Sequence, residues 1–159
     1  MKHRRFISAL LIYSFVSTNL FCQDIAGLWK GKMYYEEEGR DTIAVYFDIS
    51  KEAKTDRYSG IIVCMNANPE SVYWYGSSYF TGVYRQSGKK YLFEELGIIE
   101  STTQVLTDDY KLSYNPETDE LRGIVLSDPR NPGMIFSNRR KIELSRTVEA
   151  SPPMKRNTE

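Results

Sequence analysis

From Ile25 onward, apolar and polar residues alternate with a period of two, the spacing of strands that bury one face. The clearest stretch is Ile43 to Ser50, where Ile43, Val45, Phe47 and Ile49 alternate with Tyr46, Asp48 and Ser50. In Ile25 to Tyr35, the residues Ile25, Trp29 and Met33 share one parity with two glycines, while Lys30 and Lys32 take the other. The same reading predicts strands over Arg57 to Met65, Ser78 to Arg85, Lys90 to Ile99, Asp109 to Asn115, Glu120 to Ser127 and Met134 to Arg146. In the sixth of the eight, Tyr110, Leu112 and Tyr114 point inward. No stretch of ten or more residues has the helical period.

The connections predict how the strands meet. Ser87-Gly88-Lys89-Lys90 and Asn115-Pro116-Glu117-Thr118-Asp119 are turn chemistry, so consecutive strands pair antiparallel. Eight strands with one apolar face either close or leave two edges exposed, and closure removes the edges. A repeat of a large apolar residue, a polar residue and glycine points the same way. It occurs at Trp29-Lys30-Gly31, Tyr58-Ser59-Gly60, Phe80-Thr81-Gly82 and Leu121-Arg122-Gly123. Glycine at one register of several strands marks places where a strand bends or meets another backbone. The expected fold is all-β, a single eight-stranded antiparallel up-and-down barrel.

The barrel domain is expected over 23–146. Before it, residues 1–22 carry a basic start (Lys2, Arg4, Arg5), an apolar run from Phe6 to Val16 and a polar stretch before Cys22. This is the layout of a signal peptide, too short to span a bilayer, which predicts a secreted or periplasmic protein cut before Gln23. Lipid attachment at Cys22 is the alternative, disfavoured because Asn19-Leu20-Phe21 lacks the small residues such signals place there. After the barrel, residues 147–159 have two prolines and mixed charge, and are expected to be disordered.

Charge and composition narrow the function. Cleavage removes three of the 21 basic residues and none of the 21 acidic ones, leaving 18 against 21, a net of −3. Nucleic acid is not expected as a partner, since it needs a clustered basic surface, and no transmembrane helix is expected in the mature chain. His3 is the only histidine and lies in the signal, so the mature chain has no imidazole for general base, triad or zinc. Cys64 is then its only cysteine, which excludes an internal disulfide. Asp108-Asp109 and Asp119-Glu120 lack the spaced oxygen ligands of a calcium loop, and neither a cofactor nor a metal is expected.

The segment Asp24-Ile25-Ala26-Gly27-Leu28-Trp29-Lys30-Gly31 resembles the opening of small secreted bacterial lipocalin-like domains, within the wider group of lipocalin and avidin-like barrels. The resemblance implies the same closed barrel, with Gly27 and Trp29 as structural residues. Larger lipocalins pack a late arginine on the motif tryptophan. Arg139, Arg140 and Arg146 are candidates, and Arg140 is chosen for its inward parity with Ile142 and Leu144. The helix those proteins place before their final strand has no counterpart between Asp109 and Arg146. Avidins box their ligand with later tryptophans, and Trp74 is the only other one here, so biotin is not expected.

The expected function is to bind a small apolar or amphipathic ligand without catalysis. Tyr73, Trp74 and Tyr75 are expected at the rim, with Tyr58, Phe80, Tyr84 and Phe93 lining the cavity. The alternative is a filled barrel serving as a structural or protein-interaction domain of the cell envelope, because eight strands leave an interior just wide enough for side chains to fill. An enzyme ranks third. It would use Glu95, inward with Tyr91 and Phe93, as a buried carboxyl of raised pKa, unless that carboxylate pairs with an inward arginine or sits at a strand end.

Overall fold

The computed structural model describes residues 24–35, 42–67, 75–102, 107–127 and 140–149. The expected signal, Cys22, the rim residues Tyr73 and Trp74, and residues 150–159 of the expected tail lie outside that set.

Eight strands form one closed antiparallel barrel in sequence order: β1 (Gly27–Tyr35), β2 (Ile43–Lys51), β3 (Arg57–Asn66), β4 (Tyr75–Arg85), β5 (Lys90–Ser101), β6 (Asp108–Asn115), β7 (Glu120–Ser127) and β8 (Arg140–Thr147). The last strand closes on the first, with Trp29 opposite Arg146 and Tyr35 opposite Arg140. This is the topology of a lipocalin-like all-β fold. Among the described residues the only helical turn is Gln86–Gly88, and no helix is long and apolar enough to cross a membrane.

The alternation sets the register. A one-residue slip would turn Val45, Phe47 and Ile49 outward, and all three are buried. The core they form with Trp29, Met33, Tyr58, Phe80, Phe93, Tyr110 and Leu144 runs the length of the barrel. Each large apolar side chain buried there contributes roughly 1.5–3 kcal/mol. Strand β8 runs one residue beyond the expected limit at Arg146, and beyond it Glu149 bonds Lys30 at 2.8 Å.

The repeated glycines mark the tightest contacts between strands. A Cβ on Gly60 would fall on the carbonyl oxygen of Asp48 in β2, and one on Gly82 on the ring of Phe93 in β5. Gly31 and Gly123 meet backbone carbonyls of Glu143 and Lys111 in the same way. All four carry inward parity, so the sheet folds in at these corners and leaves no volume for a side chain.

The two ends of the barrel differ. Short turns at 52–56, 86–89 and 116–119 join the strands at the end that holds Trp29, with Lys54, Lys89 and Asp119 supplying positive φ. At the other end the connections 36–42, 67–74, 102–107 and 128–139 are longer. Near this loop-bearing end β5 is irregular: its pairing with β4 shifts between Ser77 and Ser78 and again between Tyr79 and Phe80, leaving Leu96 63% exposed.

Candidate functional site

The short-turn end is sealed. Gly27 has φ 126°, a left-handed value that favours glycine, and a Cβ there would meet Arg146 Nη1 at 3.0 Å. That turn lets Ile25 double back so that Trp29 Nε1 donates to its carbonyl at 2.8 Å. Arg146 lies over the Trp29 ring at 4.4 Å, while Tyr114 meets the same ring edge-on at 6.0 Å. The guanidinium also donates to both Asp119 carboxylate oxygens, at 3.0 and 3.1 Å, and to the Ala26 and Asp24 carbonyls at 2.6 and 3.2 Å.

The cation over Trp29 is therefore Arg146, correcting the expectation of Arg140. Both share inward parity on β8, so alternation alone does not separate them. The register does, since Arg140 stands opposite Tyr35, six residues or about 20 Å along the strand.

The middle of the barrel is filled by rings. Phe80 and Phe93 have centroids 4.7 Å apart, Phe47 meets Phe80 at 5.7 Å and Tyr110 at 5.4 Å, and Tyr58 meets Tyr91 at 5.5 Å. Of the residues expected to line a cavity, Tyr58, Phe80 and Phe93 are at most 2% exposed and pack on one another. Tyr84 meets Tyr91 at a tilt, centroids 4.8 Å apart, near the short turns. Tyr75 begins β4 at the loop-bearing end, is buried, and takes the parity opposite to Ser78 and Phe80. The expected set is thus divided between the two halves of the barrel.

The loop-bearing end holds the polar chemistry. Glu95 is buried, and Tyr110 Oη donates to its carboxylate at 2.5 Å. The Ser78 hydroxyl and the Asp108 amide also donate to it. Burial raises the Glu95 pKa to about 7, with the neighbouring Asp108 charge adding to the rise and the three donors opposing it. Beside it, Arg140 Nη2 pairs with Asp108 Oδ1 at 2.5 Å, both side chains being 13% exposed. Burial pulls the Arg140 guanidinium down, but Asp108 more than offsets this and holds it above its usual value. Tyr110 is pushed well up by burial and then by Glu95. The Cys64 thiol is raised by burial first and by Glu95 second, so it stays protonated and unreactive.

The end of the barrel is consequently two-sided. Ser78, Glu95, Tyr110, Asp108 and Arg140 form a polar arc on β4, β5, β6 and β8. Ile43, Val45 and Cys64 line the facing strands β2 and β3, with Val45 opposite Cys64 in the ladder. Alternation pointed to Glu95. The alternative role for Glu95, pairing with an inward arginine, goes to Asp108 instead: Arg140 binds Asp108, and Glu95 takes the Tyr110 phenol. Nothing local in the sequence marks Tyr110, Asp108 and Ser78 as site residues beyond inward parity, with polar residues at the β4 and β6 ends nearest Glu95.

The chain matches no protein-family model and none of the curated proteins with which it was compared. The lipocalin-like likeness therefore rests on topology and on the Gly27, Trp29 and Arg146 clasp.

Proposed function

We propose that this protein is an exported, non-catalytic binding module that takes a small amphipathic molecule at the loop-bearing end of its barrel. One observation carries the reading: a buried carboxyl, Glu95, its pKa raised to about 7, acts on the Cys64 thiol at the same end of the barrel, where Cys64 pairs with apolar Val45. A buried ionisable group costs stability, and such groups concentrate where a protein binds or reacts. The two-sided lining suits a ligand with one polar group and a short apolar body. The ring-packed centre limits that body to the mouth. Native mass spectrometry of the protein purified from its own secretion route tests this. A retained small molecule that is lost from the Glu95→Ala variant is the expected result; a bare protein after gentle isolation counts against it.

A second reading, a filled barrel that binds another protein, is favoured by the outer face of β3, β4 and β5. There Ile61 is 37%, Tyr79 54% and Leu96 63% exposed, and Ile61 stands directly opposite Tyr79. Replacing Tyr79 and Leu96 by serine would abolish such an association and leave small-molecule binding unchanged.

A further inference from the structure

We propose that the ligand's polar group is a cation, a protonated amine, and that Glu95 is its counter-charge. This rests on the reading that a small molecule binds at the mouth.

The charges at that end decide the sign. Arg140, the one cation facing the polar arc among the described residues, is already committed to Asp108. Glu95 is held by a phenol, a hydroxyl and a backbone amide, all neutral, and among the described residues no cation is one of the main groups that shift it. Asp108, whose charge acts on it, carries the same sign as an ionised Glu95. A buried carboxylate in that setting is stable only when protonated or when a cation arrives from outside. An anionic ligand would have to break the Arg140 pair and then face Glu95. A neutral one would leave the carboxyl as it is. An ammonium group replaces the missing proton and turns neutral hydrogen bonding into charge-assisted pairing, which is the stronger kind.

The groups facing Glu95 also set the pH response. They are Ser78 on β4, Cys64 on β3, Tyr110 and Asp108 on β6, and Arg140 behind Asp108 on β8. Tyr110 and Cys64 are both pushed upward, away from neutrality, which leaves Glu95 to titrate near pH 7. An alkylammonium ion keeps its charge until about pH 10, so any change in its binding between about pH 5.5 and 8.5 reports the protein.

The experiment uses three probes of equal chain length, octylammonium, 1-octanol and octanoate, titrated calorimetrically into the whole mature protein and its Glu95→Gln variant. At about pH 8.5 octylammonium is expected to bind about tenfold or more tighter than 1-octanol. Octanoate is expected to bind most weakly. The ammonium advantage is expected to shrink at about pH 5.5 and to vanish in Glu95→Gln, while 1-octanol binds both forms alike and shows that the variant is folded. Should the variant not fold, the pH series on the unaltered protein decides alone. Equal binding of octylammonium and 1-octanol, an advantage that survives Glu95→Gln or acid, or tightest binding by octanoate overturns the cation and leaves the ligand site standing. If none of the three binds, the ligand site falls and the cation with it.

Discussion

Arg146 and Trp29, opposite one another on β8 and β1, form the clasp that closes one end of the barrel, guanidinium over indole at 4.4 Å. The same guanidinium binds Asp119 and two carbonyls of the segment leading into β1, so one side chain ties together the β6–β7 turn, the final strand and the start of the first.

Arg146→Ala removes the cation, the carboxylate pair and two carbonyl bonds together. It is expected to cost about 2–3 kcal/mol, since charge-assisted bonds and a partly desolvated cation over a ring each contribute about 1–2. Arg146→Lys recovers less than half, because an ammonium cannot cover the ring and fork to Asp119 at once. Urea unfolding measures both.

Arg140→Ala acts at the other end and for a different reason. It leaves the Asp108 carboxylate, only 13% exposed, without its cation, a change expected to cost about 3 kcal/mol. The double variant with Asp108→Asn should be more stable than Arg140→Ala alone, and a double-mutant cycle in urea shows whether it is.

Glu95 links stability to pH. Its folded pKa of about 7 stands above the ordinary value of 4.5, so the folded state holds this proton more tightly than the unfolded chain does. The resulting stability is fully present below about pH 4.5 and is lost as pH rises through 7. The loss attributable to this group is up to about 3 kcal/mol. Unfolding free energies at intervals from about pH 5 to 8 should fall in the native sequence, and this part of the slope should be absent from Glu95→Gln. A flat profile in both would show that Glu95 titrates normally.

The barrel corners give a contrast between glycines. Gly60→Ala puts a methyl group on the Asp48 carbonyl and is expected to cost about 3 kcal/mol or to prevent folding. Gly97→Ala meets nothing within 4 Å and should change the thermal midpoint little, within about 0.5 kcal/mol.

The ring stack predicts what truncation does. Phe93→Ala removes a ring in contact with Phe80, Phe47, Tyr58 and Tyr91, and is expected to cost about 3–5 kcal/mol. A dry apolar void of that kind takes up benzene. Benzene should therefore raise the thermal midpoint of Phe93→Ala and leave the unaltered protein unmoved. A response by the unaltered protein would show that its interior already holds space.

Much of this fold is legible before any coordinates. The inward sets on β1, β2 and β6 follow from alternation because each strand has one buried face, and the glycine corners follow from a residue that nothing larger can replace. The site is legible only as a single residue. Glu95 stands out as a carboxylate on an inward parity, but its partner depends on which strands meet at that height. The β4–β5 bulge, which begins just past the regular Phe80–Glu95 pair and puts Tyr79 opposite Gly97, has no mark in Glu94-Glu95-Leu96-Gly97 that distinguishes it from regular strand.

The two arginines of β8 show the division most plainly. Sequence by itself determined that Arg140 and Arg146 face inward, that eight strands follow one another antiparallel, and that Trp29 belongs to the core, because these follow from a period of two and from turn chemistry acting over a few residues. Only the tertiary structure decided that Arg146 meets Trp29, that Arg140 meets Asp108, and that Glu95 is left with a phenol. Those pairings depend on the stagger with which the last strand closes on the first. Stagger is a property of the whole ring of strands, set by all eight packing one interior at once, and no local pattern encodes it.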